Sequence, residues 1–140
     1  MNKVIIRDYL PKDYPKLMQL WESLDLSNPM RGDNNAVIEN TLQIGGKLLI
    51  MENHEFQVIG SAWLTNDGRR IYLHHFGIDK EWQNNGLAKL LLKECLQFAK
   101  EKKMQIKLEV HKDNIAALQL YKKGGFKYLG DYLVFIIRDI

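Results

Sequence analysis

Ile71-Tyr72-Leu73-His74-His75-Phe76-Gly77-Ile78, followed by Gln83-Asn84-Asn85-Gly86-Leu87-Ala88, reads as a buried strand that enters a helix through a glycine-containing turn. The helix runs from Leu87 to Lys102, with Ala88, Leu92, Cys95 and Ala99 on one face. The first backbone N–H groups of such a helix have no partner inside it, and with the helix dipole they make an anion site. Gly86 and Ala88 are small enough for a phosphate to approach the backbone, and Gln83 can add a side-chain donor. No Lys-Ser/Thr follows the glycine, so the turn is not a P-loop. The lone glycine also excludes the G-x-G-x-x-G turn of nicotinamide-dinucleotide domains.

Outward from this unit the chain alternates strands and helices. Val4 to Arg7 is a strand. Asp13 caps a helix with Pro15 in its first turn and Leu17, Leu20, Trp21 and Leu24 at helical spacing. After Ser27-Asn28-Pro29, Asp33 or Asn34 caps a shorter helix through Ala36, Val37, Ile38 and Leu42, ended by Gly45-Gly46. Lys47 to Glu52 and Gln57 to Thr65 are strands, and Asn66-Asp67-Gly68 is a hairpin signal leading into the strand with His74. After the long helix, Ile106 to Val110 alternates as a strand. Asp113 or Asn114 caps a helix to about Lys123, and Gly124-Gly125 ends it. Phe126 to Leu129 and Tyr132 to Ile137 are expected to form a final hairpin about Gly130-Asp131. The order is β-α-α-β-β-β-α-β-α-β-β, with one right-handed crossover from the His74 strand to Ile106.

The 140 residues fit one domain, 1–140, with a hydrophobic fraction of 46% and a charged fraction of 26% typical of globular chains. A net charge of +3 without a basic, aromatic-interleaved stripe argues against nucleic acid, yet suits a polyanionic small molecule. One cysteine allows no internal disulfide and fits a reducing cytoplasm. The first residues lack the apolar core of a signal peptide, and no apolar run is long enough to cross a bilayer, so no membrane partner is expected. No Cys/His spacing suggests a metal.

Asn114-Ile115-Ala116-Ala117-Leu118-Gln119-Leu120-Tyr121-Lys122-Lys123-Gly124-Gly125-Phe126 supplies a second motif. Asn114, Ala117 or Leu118, and Tyr121 share one helical stripe. Gln/Arg-x-x-Gly-x-Gly/Ala at Gln83–Ala88, and Asn-x-x-Ala-x-x-x-Tyr-x-x-x-Gly-Phe, together resemble the cofactor motifs of the GNAT superfamily of N-acetyltransferases. The element order resembles that domain over nearly the whole chain. The resemblance implies an α/β (α+β) fold with a central mixed, mostly antiparallel twisted sheet flanked by helices, and acetyl-CoA as cosubstrate. The pyrophosphate would sit on Gln83, Asn84, Asn85, Gly86, Leu87, Ala88 and Lys89. Gln83 stands where arginine is more frequent and Asn84 where glycine is, so one positive charge is missing; Lys89 can restore some of it. Lys89 is equally a solvated face shared with Lys93, and Lys122 and Lys123 read better as helix-end charges. Gly77 suggests a bulge that splays its strand. In the family the pantetheine arm enters such a gap against backbone at Phe76, Gly77 and Ile78, with Asn114 and Ala117 alongside. Tyr121 would protonate the leaving thiolate, a phenol of pKa ~10 against a thiol of ~8.5. Its plain alternative is a tyrosine packing a helix on the sheet.

The acceptor implied is an amine. An alkylammonium of pKa ~10.4 cannot attack until deprotonated, so a general base is needed. His74, four residues before Ile78, resembles the family's base position. Strand alternation points His75 to the other face, and a buried, satisfied histidine is the plain reading of both. Glu109 is a lesser candidate. Arg31, Trp63 and Tyr132 can shape the acceptor pocket, Arg31 favouring a carboxylate or phosphate. A loop salt bridge with Asp33, and core packing for Trp63, are the alternatives. Cys95 reads as core. Asp67-Gly68-Arg69-Arg70 resembles a hairpin of small bacterial acetyltransferases. The resemblance implies direct transfer in a ternary complex by a monomer or homodimer. The rival reading is a CoA-binding sensor or partner-binding module with little transferase activity.

Overall fold

The computed structural model describes residues 3–140. Met1 and Asn2, the start of the segment read for a leader, lie outside the described residues. The elements are β1 (Val4–Asp8), α1 (Tyr14–Ser23), α2 (Asn35–Gln43), β2 (Lys47–Asn53), β3 (Val58–Asn66), β4 (Arg70–Ile78), α3 (Leu87–Lys102), β5 (Gln105–Leu108) and α4 (Ile115–Lys123). They build one five-stranded sheet in the order β1-β2-β3-β4-β5. The first four strands are antiparallel, and α3 carries the chain over to β5, which pairs parallel to β4. The mixed, helix-flanked sheet is the fold expected.

Each face of the sheet has its own core. Leu17, Leu20 and Trp21 of α1 and Ile38 of α2 pack on Leu48, Ile50 and Trp63. Leu91, Leu92, Cys95 and Ala99 of α3 and Tyr121 of α4 pack on Leu49, Met51, Leu64, Ile71 and Leu73. Strand β2 is covered on both sides, which is why Leu48 to Met51 is an unbroken apolar run. Asn34 caps α2 through Val37 N–H. Asp13 precedes α1 but makes no side-chain cap bond to it. Its carboxylate instead takes both Arg7 guanidinium nitrogens at 2.8 Å, and Arg7 also reaches Glu52, tying β1 to β2 and the entry to α1.

Two strand irregularities set the geometry around the site. Met51 pairs with Gly60 and Glu52 with Val58, so Ile59 is an extra residue in β3. Trp63 pairs with His74 and Ser61 with Gly77, so His75 and Phe76 face Ala62 alone. The bulge falls on these two residues, with His75 in the left-handed region at φ +45°, and not on Gly77. Gly77 serves a different need: a Cβ there would stand 2.7 Å from Leu24 Cδ1, so it makes room for the end of α1.

The final hairpin expected from the sequence is not in the sheet. The turn at Gly130-Asp131 forms, with Tyr132 N–H donating to the Leu129 carbonyl, but Phe126–Leu129 and Tyr132–Ile137 are not strands. The sheet closes at β5, which is itself shorter than expected and ends at Leu108.

Candidate functional site

Strand β4 pairs with β5 only from Arg70–Gln105 to Leu73–Leu108. Beyond Leu73 it continues to Ile78 with no strand partner on that side among the described residues, because β5 ends at Leu108. The bulge lies in this free stretch. The bulge expected at Gly77 falls on His75 and Phe76 instead.

The turn after β4 leads directly into α3. Asn84 (φ +65°) and Gly86 (φ +76°) are both left-handed, which curls the chain into a concave backbone nest. Gly86 is the residue before α3 and offers no capping side chain. The N–H groups of Leu87, Ala88 and Lys89 are thus left to an outside acceptor. A Cβ on Gly86 would meet nothing within 4 Å, so glycine is required here for its φ. The side chains around the nest do not add donors as Gln83 was expected to. Gln83 Nε2 is given to the Ile78 carbonyl at 2.8 Å, and Asn85 Nδ2 to the carbonyls of Trp82 and Gln83. They hold the turn in shape, and its backbone faces outward. Lys89 is exposed in the first turn of α3, and Leu87 buries its side chain in the core.

On the α3/α4 face, Tyr121 is 8% exposed, edge-on to Phe76 at 5.9 Å and to Phe126 at 5.6 Å. Burial, with Cys95 beneath it, pushes its phenol up to about 12. A group so placed stays protonated throughout the physiological range and keeps a proton to donate. Cys95 is fully buried and its thiol is pushed up to about 12 by burial, which leaves it a core residue with no thiolate. Asn114 caps α4, accepting from Ala117 N–H at 3.2 Å. Its position and that of Ala117 are thereby fixed at the helix start.

On the α1/α2 face the histidines are arranged differently from the expectation. Alternation placed them on opposite faces, but the bulge turns both rings to the same one, and both pack against Trp63. His74 stacks on Tyr72 at 4.8 Å, and its Nε2 lies 2.9 Å from Thr65 Oγ1. Burial lowers its pKa below the ordinary histidine value. His75 sits between Trp21 and Trp63, with ring centroids 4.3 and 5.4 Å away. Its Nε2 is 3.0 Å from Asp33 Oδ2, close enough for an ion pair but out of line for a hydrogen bond. Glu109 does not reach either histidine ring by a hydrogen bond; it accepts from the Tyr72 hydroxyl at 2.6 Å.

The three proposed acceptor contacts are scattered. Trp63 is 3% exposed and gives its indole N–H to Thr41 Oγ1, as the packing alternative requires. Arg31 is exposed on the α1–α2 connection, and Asp33, which had been offered as its salt-bridge partner, turns to His75. Tyr132 is exposed at the edge of a cavity beside β5. Asp33, Ser61 and Thr65 were not among the site residues read from sequence. Their partners lie 42, 14 and 9 residues away, and nothing local marks them.

An α+β sheet in which β4 runs unpaired on its β5 side beyond Leu73, a left-handed backbone nest before α3 and the buried Tyr121 beside Phe76 define the class of site. Family comparison gives the class its name. Residues 32–135 match the model of the acetyltransferase (GNAT) domain, and the chain belongs to that acetyltransferase family. Solved structures agree in fold. A GNAT-family acetyltransferase from Staphylococcus aureus Mu50 superposes with a TM-score of 0.83 at 22% identity over 94% of this chain and 89% of that one. An acetyltransferase from Streptococcus agalactiae gives 0.82 at 22% identity over 97% and 92%. A predicted acetyltransferase with acetyl-CoA from Clostridium acetobutylicum gives 0.75 at 19% identity over 96% of each. Among the described residues no helix is long and apolar enough to cross a membrane.

Proposed function

We propose that this chain moves the acetyl group of acetyl-CoA to a primary amine by direct transfer in a ternary complex. The observation that carries the reading is the division of labour across β4. A buried proton donor, Tyr121, packs on one face of β4, and two histidines, His74 beside Thr65 and His75 beside Asp33, lie on the other. The residues present fit a CoA ester, which supplies an activated acyl carbonyl and a thiolate leaving group. Leu87, Ala88 and Lys89 N–H groups, held by the Asn84–Gly86 turn, would take the pyrophosphate. The Phe76–Ile78 backbone, freed from β5, would line the arm, with Asn114 and Ala117 at its far wall. The mild positive charge and Lys89 favour a polyanion. The buried Cys95 and absence of a second thiol suit a reducing cytoplasm.

His74 accepts the amine's proton, directly or through water, and burial keeps its ring neutral and ready. His75 with Asp33 is the second candidate for that role. Tyr121 supplies the proton to the leaving sulfur. Arg31 and Tyr132 stand on the exposed rim, where an acceptor with an anionic group would meet Arg31.

The reading is tested by thiol release from acetyl-CoA against amines, polyamines, amino acids and basic peptides, beside Tyr121→Phe. Acceptor-dependent release that falls ~10²-fold or more in the variant, at unchanged acetyl-CoA affinity, is the expected result. Tight acetyl-CoA binding without release would make the chain a CoA-binding module instead.

A further inference from the structure

We propose that, in the transfer reading above and resting on it, Thr65 is a positioning residue: its hydroxyl holds His74 in the tautomer protonated on Nε2, so that Nδ1 takes the proton of the acceptor amine. A neutral imidazole has one N–H and one lone pair, and the bond made by one nitrogen decides what the other can do. His74 Nε2 lies 2.9 Å from Thr65 Oγ1. Nδ1 has no hydrogen-bond partner among the described residues. The one side-chain atom there that is both buried and unpartnered is Nε2 of His75. Nδ1 of His74 is therefore the ring nitrogen left open to an incoming group.

The placement is built into the sheet. Thr65 stands opposite Tyr72 in the β3–β4 ladder, and Trp63 opposite His74, so Thr65 reaches His74 on the diagonal. A β-branched side chain has little freedom at χ1, and the ladder thereby fixes the hydroxyl. Tyr72 stacks on the His74 ring, with centroids 4.8 Å apart and an interplanar angle of 9°. Trp63 meets the same ring edge-on at 6.0 Å. Tyr72 is itself tethered through its hydroxyl to Glu109. These contacts oppose a ring flip that would carry Nε2 away from Thr65.

With Nε2–H donating to Thr65, the ammonium's proton moves to the Nδ1 lone pair. The amine nitrogen keeps the electron pair with which it attacks. The Nε2–H bond to Thr65 is unbroken through the step, so no hydroxyl has to reorient, and water afterwards removes the Nδ1 proton. The reverse arrangement, with Thr65 donating to Nε2, would put the proton on Nδ1 and present the acceptor with a donor. The charged and titratable groups facing the ring are His75, Asp33 and Glu109. They bear on the ring's charge, whereas Thr65 bonds one nitrogen and so selects between the two.

The test reads tautomer and rate separately, on the full chain. Long-range proton–nitrogen correlation of protein labelled with nitrogen-15 histidine, without cofactor and at a pH where the ring is neutral, is expected to show His74 protonated on Nε2 and bare on Nδ1. Loss of these signals in His74→Gln assigns them. In Thr65→Val, which keeps the side-chain shape and the strand preference, the second tautomer should appear. Thiol release with the fastest acceptor of the amine panel should then fall at least ~10-fold in kcat, at unchanged KM for acetyl-CoA. Its acid limb should move to lower pH, because the imidazolium loses a hydrogen-bond acceptor. Thr65→Ser should restore both tautomer and rate. A native ring protonated on Nδ1, an undiminished rate in Thr65→Val, or a loss that Thr65→Ser does not repair would each overturn the assignment. If no amine releases thiol, the transfer reading falls and the catalytic part of Thr65 with it, while the nitrogen signals still report whether Thr65 sets the tautomer.

Discussion

Ser61 Oγ donates to the main-chain carbonyl of His75 at 2.8 Å, and receives the Trp21 indole N–H at the same distance. Ser61 is fully buried. One hydroxyl thus satisfies the carbonyl that the β4 bulge removes from the sheet ladder, and pins it to α1. The bulge is held from both faces of β3: Gly77 opposite Ser61 receives the end of α1, and Phe76 packs toward Tyr121.

Replacing Ser61 by alanine leaves two buried polar groups without a partner. Each costs ~1–3 kcal/mol, so urea unfolding of Ser61→Ala is expected to show a loss of about 2–6 kcal/mol. Because the freed carbonyl belongs to His75, turnover should fall more than acetyl-CoA affinity. An activity loss in proportion to the fraction unfolded, and no more, would make Ser61 a packing residue only.

The histidine roles separate by pH. Burial depresses the folded pKa of His74, so the ring is neutral down to below the ordinary ~6.5. The acid limb of kcat/KM is therefore expected below that value, and His74→Gln should remove the limb and lower kcat/KM by ~10²-fold or more. The same shift affects stability. The unfolded chain binds the proton first, so this contribution is present above pH ~6.5 and declines as pH falls toward the folded value. A limb that survives His74→Gln but vanishes in Asp33→Asn assigns the base to His75.

Much of this geometry was legible in the sequence, and its limits are physical. Helix α3 begins and ends where its periodicity and Gly86 place it. Asn66-Asp67-Gly68 closes its hairpin through Asp67, which accepts from Arg69 and Arg70 N–H. The bulge was sought at Gly77 because glycine tolerates irregular backbone. In the structure the strain sits on His75, held by the Ser61 hydrogen bond to its carbonyl and by the approach of Asp33 to its ring, which no local pattern announces. One added residue reversed the face of His75 and placed both rings on Trp63. The last two strands had the right composition, and the turn between them forms, but pairing depends on an edge that the segment does not reach within its own chain.

The nest before α3 offers a test that separates folding from binding. At Gly86 a side chain meets open space but must adopt φ +76°. A left-handed side chain costs roughly 1–2 kcal/mol, and a β-branched one more, which is still below the stability of a domain. Gly86→Val is thus expected to melt only a few degrees lower. It places methyl groups where the phosphates approach the Leu87–Lys89 N–H groups, and the acetyl-CoA Kd measured by calorimetry should rise at least 10-fold. An unchanged Kd would place the anion elsewhere.

Arg7 offers a stability test whose size changes with pH. Its hydrogen bonds hold the Asp13 carboxyl below the usual carboxylate range, against the burial that alone would raise it. Asp13 is 3% exposed. In the native chain the carboxylate's contribution is present above its unfolded pKa of ~3.9 and is lost as pH falls through the lower folded value. Removing Arg7 leaves burial as the main remaining influence, with only the Leu10 N–H and Lys12 to oppose it, and the shift reverses. At pH 7 Arg7→Met then strands a buried charge, for a loss of ~3–5 kcal/mol, or roughly 10 °C in Tm. As pH falls through that raised pKa the unpaired carboxyl takes up a proton and the penalty shrinks. The difference in unfolding free energy between native and Arg7→Met proteins should therefore narrow steadily from pH 7 to pH 4. A gap of constant width would mean that Arg7 acts through packing of its aliphatic stem, with Asp13 satisfied by Leu10 N–H alone.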